Sequence, residues 1–398
     1  MAVRDVSDRL LQARSDYEAL LARAVDLESG GSPLLGRGAA GVDEIRQSLQ
    51  ANEALLEYFV TPDRLFTFVV THDGVDVVTI PTSAETLARR VRIARDLVGS
   101  PTTDAAGATE VLAGLYEVLI QPALSADRAN GVTSLIVVPH GVLSYLPFVA
   151  LENPVSGRYL VEDYDVQWSP VAAAVPLLRG RYLFESGSLL ENIGGVAFAP
   201  LSRSLPATRT EARAFSRAVP RGRAVNGRDA TESQVRAALA QPVIVHVATH
   251  GVLNIQNPLF SRLELAPGDG EPQDDGRLEV HEVLNSSISS PIVFLSGCET
   301  GVGTAGSTAF ATGEDYTTLA LAFLYAGAQN VVATLWRVED EGAAAFAKSY
   351  YDHLSKHGPL EALAQAQREM MLDKRYRSPY YWAAYQVSGA GTVKSTAQ

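Results

Sequence analysis

A lone cysteine and a histidine are the residues of this chain best suited to chemistry. Cys298 is the only cysteine among 398 residues, and it sits in LSGCETGVGTAG (295–306). His250 closes the apolar run PVIVHVATHG (242–251) just before its glycine. These two types make the essential pair for thiol catalysis: a thiolate attacks a carbonyl, and an imidazole activates it and protonates the leaving group. A free thiol has a pKa of about 8.5, so a nearby imidazolium, or a helix N-terminus after the cysteine loop, would favour the thiolate. The backbone N–H groups of Gly251 and Cys298 are natural donors to a tetrahedral oxyanion, because glycine lets backbone and substrate approach closely. Taken singly, each residue has a plainer reading. An isolated buried cysteine is more often a small inert hydrophobe, and a single histidine is more often structural. The catalytic reading rests on the pair, each at the end of an apolar run and beside a glycine turn.

The same stretch offers a competing pattern, G-x-G-x-x-G at Gly301, Gly303 and Gly306. A dinucleotide fingerprint needs its third glycine to open a helix at once, with an acid about 20 positions further on. Here STAFATGED intervenes before a helical pattern begins near Tyr316, and the twentieth position falls in the helix stop YAGA. No Walker A sequence is present. The glycines are read as shaping the turn that presents the cysteine.

Composition narrows the class. The hydrophobic fraction is 46%, the charged fraction 20% and the net charge −12, an ordinary balance for a globular chain. Nucleic-acid binding needs clustered Lys and Arg, so no direct nucleic-acid role is expected, and the charge does not favour anionic membranes. One cysteine excludes an intrachain disulfide framework and any multi-cysteine metal site; no metal and no cofactor is expected. Charges interrupt the N-terminal residues, unlike a signal peptide. No apolar run reaches the roughly 18 residues of a membrane span. The expected location is cytoplasmic.

The elements that must position the pair follow from periodicity. Residues 1 to about 28 read as a leading helix with Leu10, Leu11, Tyr17, Leu20, Leu21 and Val25 near one face, and 29–41 as a linker. A short helix is expected within 43–50. Residues 54–80 read as a β meander with turns at Thr-Pro-Asp and His-Asp-Gly. Helices are expected over 83–98 and 106–121, then a strand, a turn and a second apolar stretch within 134–151. Between 165 and 185 the pattern carries no clear assignment. From 192 strands and helices alternate: NIGGVAFAP, PVIVHVATHG, PIVFLSGC and NVVATLW are strands. TEARAFSRAV, ATESQVRAALA (opened by Thr231), TTLALAFLYAGA (stopped by Gly327), EDEGAAAFAKSYYDHLSKHG (ending on Gly358) and 359–371 are helices. Such alternation implies a mostly parallel sheet covered on both faces, with chemistry beyond the C-terminal strand ends. That rule selects His250-Gly251, Cys298 and the acidic cluster Arg337-Val-Glu-Asp340.

HVATHG (246–251), FLSGCETGVG (294–303), ALAFLYAGAQNVVATLWRVEDE (320–341) and PYYWAAYQVSG (379–389) together resemble the CHAT-domain peptidases, which belong with separases and caspases in one caspase-like clan. The resemblance runs from about 52 to 389, with VVPHGVLSYLPFVAL (137–151) similar to the segment before the catalytic half. It implies a caspase-like α/β fold: a mostly parallel sheet flanked by helices, with an N-terminal helical segment over 1–50, a pseudo-caspase-like subdomain over 51–188 and a catalytic subdomain over 189–398. It implies that Cys298 is the nucleophile, that His250 is its general acid/base, and that the N–H groups of Gly251 and Cys298 form the oxyanion hole. In separase-like members an acid of the W-x-V-x-D element, here Trp336, Val338 and Asp340, lines the P1 pocket. Asp340, with Glu339 beside it, would then select Arg or Lys, and bidentate geometry favours Arg. The plainer reading is that both acids begin a helix, where negative charge is favoured.

The implied function is a cysteine endopeptidase acting on a polypeptide, gated by a partner or a signal, the partner being a regulatory protein or a helical-repeat module. The other reading is a catalytically latent interaction module of the same fold. His140 departs from the family segment, which commonly carries an acid there, and is read as structural. His246 is read as a core histidine, which period two would put on one face with His250. Residues 303–315 read as a flap, an activation segment or an insertion.

Overall fold

The computed structural model describes residues 40–101, 105–125, 129–180, 193–254, 257–268, 274–298 and 318–391. The expected leading helix and the segment 303–315 lie outside these residues. Thirteen strands form one sheet among the described residues. They are β1 (Glu53–Val60), β2 (Leu65–Val70), β3 (Val75–Ile80), β4 (Ser134–Val138), β5 (Asp165–Trp168), β6 (Gly195–Ala199) and β7 (Gly222–Asn226). The rest are β8 (Ile244–Val252), β9 (Arg262–Glu264), β10 (Arg277–Glu279), β11 (Ile292–Cys298), β12 (Asn330–Thr334) and β13 (Tyr385–Gly389).

The order is β10-β9-β8-β11-β12-β13-β5-β4-β1-β2-β3, with β6 also on β8 and β7 on β6. The interior pairs β1–β4, β4–β5, β6–β8, β8–β11 and β11–β12 are parallel. β4 and β6 are buried along their whole length, as apolar runs in a sheet covered on both faces must be. Antiparallel pairing enters with the meander β1–β3, with β8–β9–β10, and at β12–β13.

Among the described residues, the helices of five residues or more are α1 (Val42–Ser48), α2 (Ala84–Val98), α3 (Ala105–Leu119), α4 (Ala174–Gly180), α5 (Pro206–Ala218), α6 (Glu232–Leu239), α7 (Val280–Leu284), α8 (Thr318–Ala326), α9 (Asp340–Leu354) and α10 (Pro359–Leu372). Thr231 caps α6 by accepting the Gln234 N–H at 3.4 Å. One core packs α2, α3, α5, α9 and α10 on one face of the sheet through Leu115, Phe215, Phe294 and Phe346. A second lies under α6, α7 and α8, through Val235, Val247, Leu295 and Phe323.

α9 stops at Leu354 rather than at Gly358. Pro359 opens α10 and excludes helical backbone at the residue before it, and Gly358 is extended (φ −68, ψ 168). Residues 355–357 are spent on a turn closed by the Lys356 and His357 N–H groups on the His353 carbonyl.

Glu53, which opens β1, is 2% exposed and accepts both terminal nitrogens of Arg179 on α4, at 2.7 and 2.8 Å. Glu53→Ala would leave that guanidinium buried without its carboxylate. The expected loss is about 3–5 kcal/mol in urea unfolding. A loss below about 1 kcal/mol would mean that water reaches Arg179 in its place.

Candidate active site

β8 and β11 are neighbours, and their register places the sequence-predicted pair. Val245, His246, Val247 and Ala248 face Val293, Phe294, Leu295 and Ser296 in turn, and then Gly251 faces Cys298. Two steps along β11 therefore span three along β8. The extra residue is a bulge within Thr249–His250, a device that re-aims side chains next to active sites. Its cause is visible on the other edge of β8. There β6 pairs in parallel with Ile244–Val247, and β9 takes over antiparallel at Gly251 and Val252. The Thr249 hydroxyl, buried at this changeover, donates to the Glu264 carbonyl of β9.

Two expectations change here. β8 runs one residue beyond the expected end at Gly251; pairing with β9 carries it on to Val252. The period-two argument for His246 and His250 sharing a face stops applying at Ala248, because the bulge breaks the alternation. His250 is half-buried and Gly251 buried. Cys298 is the last residue of β11, with its backbone opposite Gly251. Adjacent strands lie about 4.8 Å apart, and His250 stands one residue before the position on β8 that faces the end of β11 at Cys298. The glycine pattern at 301–306 lies outside the described residues.

The acidic element leaves β12 at that edge too. The Leu335 N–H bonds the Ala384 carbonyl at 2.8 Å, and the buried Trp336 donates its indole N–H to the Tyr380 carbonyl at 3.0 Å. The Tyr380 hydroxyl donates to the Arg337 carbonyl at 3.1 Å. The segment 380–384 thus fixes the path to α9. Glu339 is exposed and accepts the Tyr381 hydroxyl at 3.1 Å. Asp340 is half-exposed and is the first residue of α9, where the helix dipole favours its charge.

Two further histidines singled out in the sequence, His140 and His246, have partners of their own. His140 Nδ1 accepts the Val60 N–H at 3.3 Å, and its ring packs on Phe59. His246 is fully buried, with Nδ1 2.8 Å from the Tyr351 hydroxyl and Nε2 3.3 Å from a carboxylate oxygen of Glu211. That second contact is within ion-pair reach but off the line of a straight hydrogen bond. Sequence reasoning missed Glu211, although a signal existed: it lies on the buried stripe Thr208, Glu211, Ala212 and Phe215 of α5, where an acid is out of place.

A cavity of about 250 Å³ opens beside α8, lined by Ser144, Trp168, Tyr325, Thr334 and Gln386 among others. Its lining, among the described residues, holds no acid. Among the described residues no cluster of three or more His, Cys, Asp or Glu is placed for a metal ion. No described helix is long and apolar enough to cross a membrane.

A mixed sheet of this order, with helices on both faces, is the architecture of caspase-like proteins. The chain superposes on separase in the Saccharomyces cerevisiae separase–securin complex with a TM-score of 0.56 at 11% identity, covering 88% of this chain and 31% of that one. Residues 109–390 match the CHAT domain, and the chain belongs to that family. It is 24% identical over 327 residues to mouse tetratricopeptide repeat protein 28, covering 70% of this chain and 13% of that protein. The human protein of that name is 24% identical over 339 residues, covering 73% and 13%. The chain thus spans only a small part of the curated relatives it matches.

Proposed function

We propose that this chain is a cysteine endopeptidase that cuts a polypeptide after Arg, or Lys, with Cys298 as nucleophile and His250 as general acid/base. The observation that carries the reading is the bulged register that sets Gly251 opposite Cys298 at the shared edge of β8 and β11. Membership of the CHAT family and the separase-like fold support it. In this scheme the Cys298 thiolate attacks the scissile carbonyl. The N–H groups of Gly251 and Cys298 stabilise the oxyanion. His250, as imidazolium, protonates the departing amine and then takes a proton from the water that hydrolyses the thioester. Cleavage rates over peptides that differ only at P1, for wild type and Cys298→Ala, test this. Robust turnover by Cys298→Ala would contradict it; no turnover by wild type with any peptide would favour the latent interaction module.

Asp340 is assigned to the P1 pocket, with Glu339 beside it. The Tyr381 hydroxyl already engages Glu339, which makes Asp340 the stronger partner for a guanidinium. Asp340→Ala is expected to lower kcat/KM for Arg peptides about tenfold to a hundredfold, the range for losing a charge-assisted hydrogen bond. Glu339→Ala should cost less. Cleavage of a norleucine analogue should barely change in either variant. An Arg-to-norleucine ratio unaltered in Asp340→Ala would place the pocket acid elsewhere.

The reading extends to organisation. The segments 1–50, 51–188 and 189–398 are taken as a helical lead, a pseudo-caspase-like subdomain and a catalytic subdomain in a cytoplasmic protein. Gating by a protein partner or a repeat module is supported by the names of the similar proteins, a tetratricopeptide repeat protein and a separase solved with securin.

A further inference from the structure

Beneath the paired ends of β8 and β11 lies a polar cluster in an otherwise apolar layer. Glu211 (2% exposed) comes from α5, His246 (0%) from β8 and Tyr351 (0%) from α9. The His246 ring bridges the other two: Nε2 lies 3.3 Å from a carboxyl oxygen of Glu211, and Nδ1 lies 2.8 Å from the Tyr351 hydroxyl. Burial, with Tyr350 and Glu211 close by, pushes the Tyr351 hydroxyl well above the usual tyrosine range, so it stays a neutral donor. Tyr385 of β13, its ring 6.1 Å from that of Phe294, is raised well above the usual tyrosine range by burial and by the nearby Glu211. These groups, with Tyr350, are the titratable neighbours of the cluster.

Stability alone does not account for a carboxylate here, because burying one costs several kcal/mol that an apolar side chain would not. Position does. His246 is the register partner of Phe294, and their rings stack at 4.9 Å and 22°. His246 precedes His250 by four residues on the bulged β8, and Phe294 precedes Cys298 by four on β11, about 13 Å along that strand. Tyr351 lies on the helix that starts at Asp340. The cluster therefore touches every element that delivers a residue assigned to the site.

We propose that Glu211, His246 and Tyr351 form a positioning unit that holds β8, β11 and α9 so that His250 meets Cys298, an inference that rests on the dyad proposed above. The three residues touch no substrate. They fix where the imidazole lies relative to the thiol.

Because the chain has one cysteine, alkylation by iodoacetamide reads that geometry without peptide turnover. Rates are followed against pH for wild type, His250→Ala, Tyr351→Phe, His246→Leu and His246→Gln. Wild type should keep a reactive limb at and below neutral pH that His250→Ala lacks. Tyr351→Phe and His246→Leu should move toward the His250→Ala profile, with the neutral-pH rate falling about tenfold for each unit that the thiol pKa rises. His246→Gln, which keeps a donor and an acceptor, should recover part of the rate. A merely structural cluster would lower the unfolding midpoints while all three profiles superimpose on wild type, and that result would overturn the proposal. Wild type coinciding with His250→Ala is a different failure: it removes the dyad, and the positioning unit with it. Tyr351→Phe deletes a single oxygen, so it carries the test if His246→Leu does not fold.

Discussion

His250→Ala is expected to lower kcat for basic peptides by about 10²–10⁴-fold, the usual contribution of a positioned general acid/base. KM should change little, because the ring acts on the reacting atoms and not on the P1 side chain. Cys298→Ala should lose as much or more, since no other thiol exists in the chain to replace it. The double variant should be no slower than Cys298→Ala. Residues that act as one unit give non-additive losses, because once the nucleophile is gone the base has nothing to activate. The register supports this coupling: Gly251, next to His250, faces Cys298 directly. A His250→Ala enzyme within about threefold of wild type would fall far below the expected contribution and move the base elsewhere.

Phe294→Ala is expected to destabilise the fold as much as Glu53→Ala does. Phe294 is fully buried at the centre of an aromatic box, with ring centroids 4.9 Å from His246, 5.1 Å from Tyr350, 5.7 Å from Tyr351 and 6.1 Å from Tyr385. Removing the ring loses its transfer free energy and leaves a cavity that strands and helices cannot easily close. The expected cost is about 3–5 kcal/mol in urea unfolding, a large share of the roughly 5–15 kcal/mol typical of a folded protein. Phe294→Leu, which keeps most of the volume, should cost less than half as much. A loss below about 1 kcal/mol for Phe294→Ala would mean that α9 settles onto the sheet and fills the space. Activity should fall with stability, because Phe294 shares a strand with Cys298.

The parts of the fold that sequence made legible are those where local chemistry and tertiary burial agree. The meander over 53–80 is bounded by turn residues, and β4 and β6 are apolar runs buried along their whole length. The cap at Thr231 and the stop at Gly327 (φ 127) fall where expected. What escaped depends on partners distant in the chain. β13 carries Gln386 and Ser388 among its residues and is a strand because β12 pairs with it along five positions. β9 and β10 are three residues each and exist through pairing with β8 and with each other. Residues 165–180, without a clear pattern in sequence, form β5 and α4, and β5 is placed by β4 and β13.

The same division holds at the site. That His250 and Gly251 lie beside Cys298 on a neighbouring strand was legible because each stands late in an apolar run next to a glycine in sequence. The bulge was not, because it arises where the neighbour of β8 changes from β6 to β9. Glu211 and Tyr351 lie 35 residues before and 105 residues after His246, and only packing of α5 and α9 brings them to it.

The pairing of Cys298 with His250 meets its most direct test in covalent labelling by a peptidyl acyloxymethyl ketone carrying Arg at P1, followed by intact mass and peptide mapping. The expected result is a single adduct on Cys298, formed faster than with the Asp analogue and much more slowly in His250→Ala. Equal labelling rates for wild type and His250→Ala would contradict the dyad.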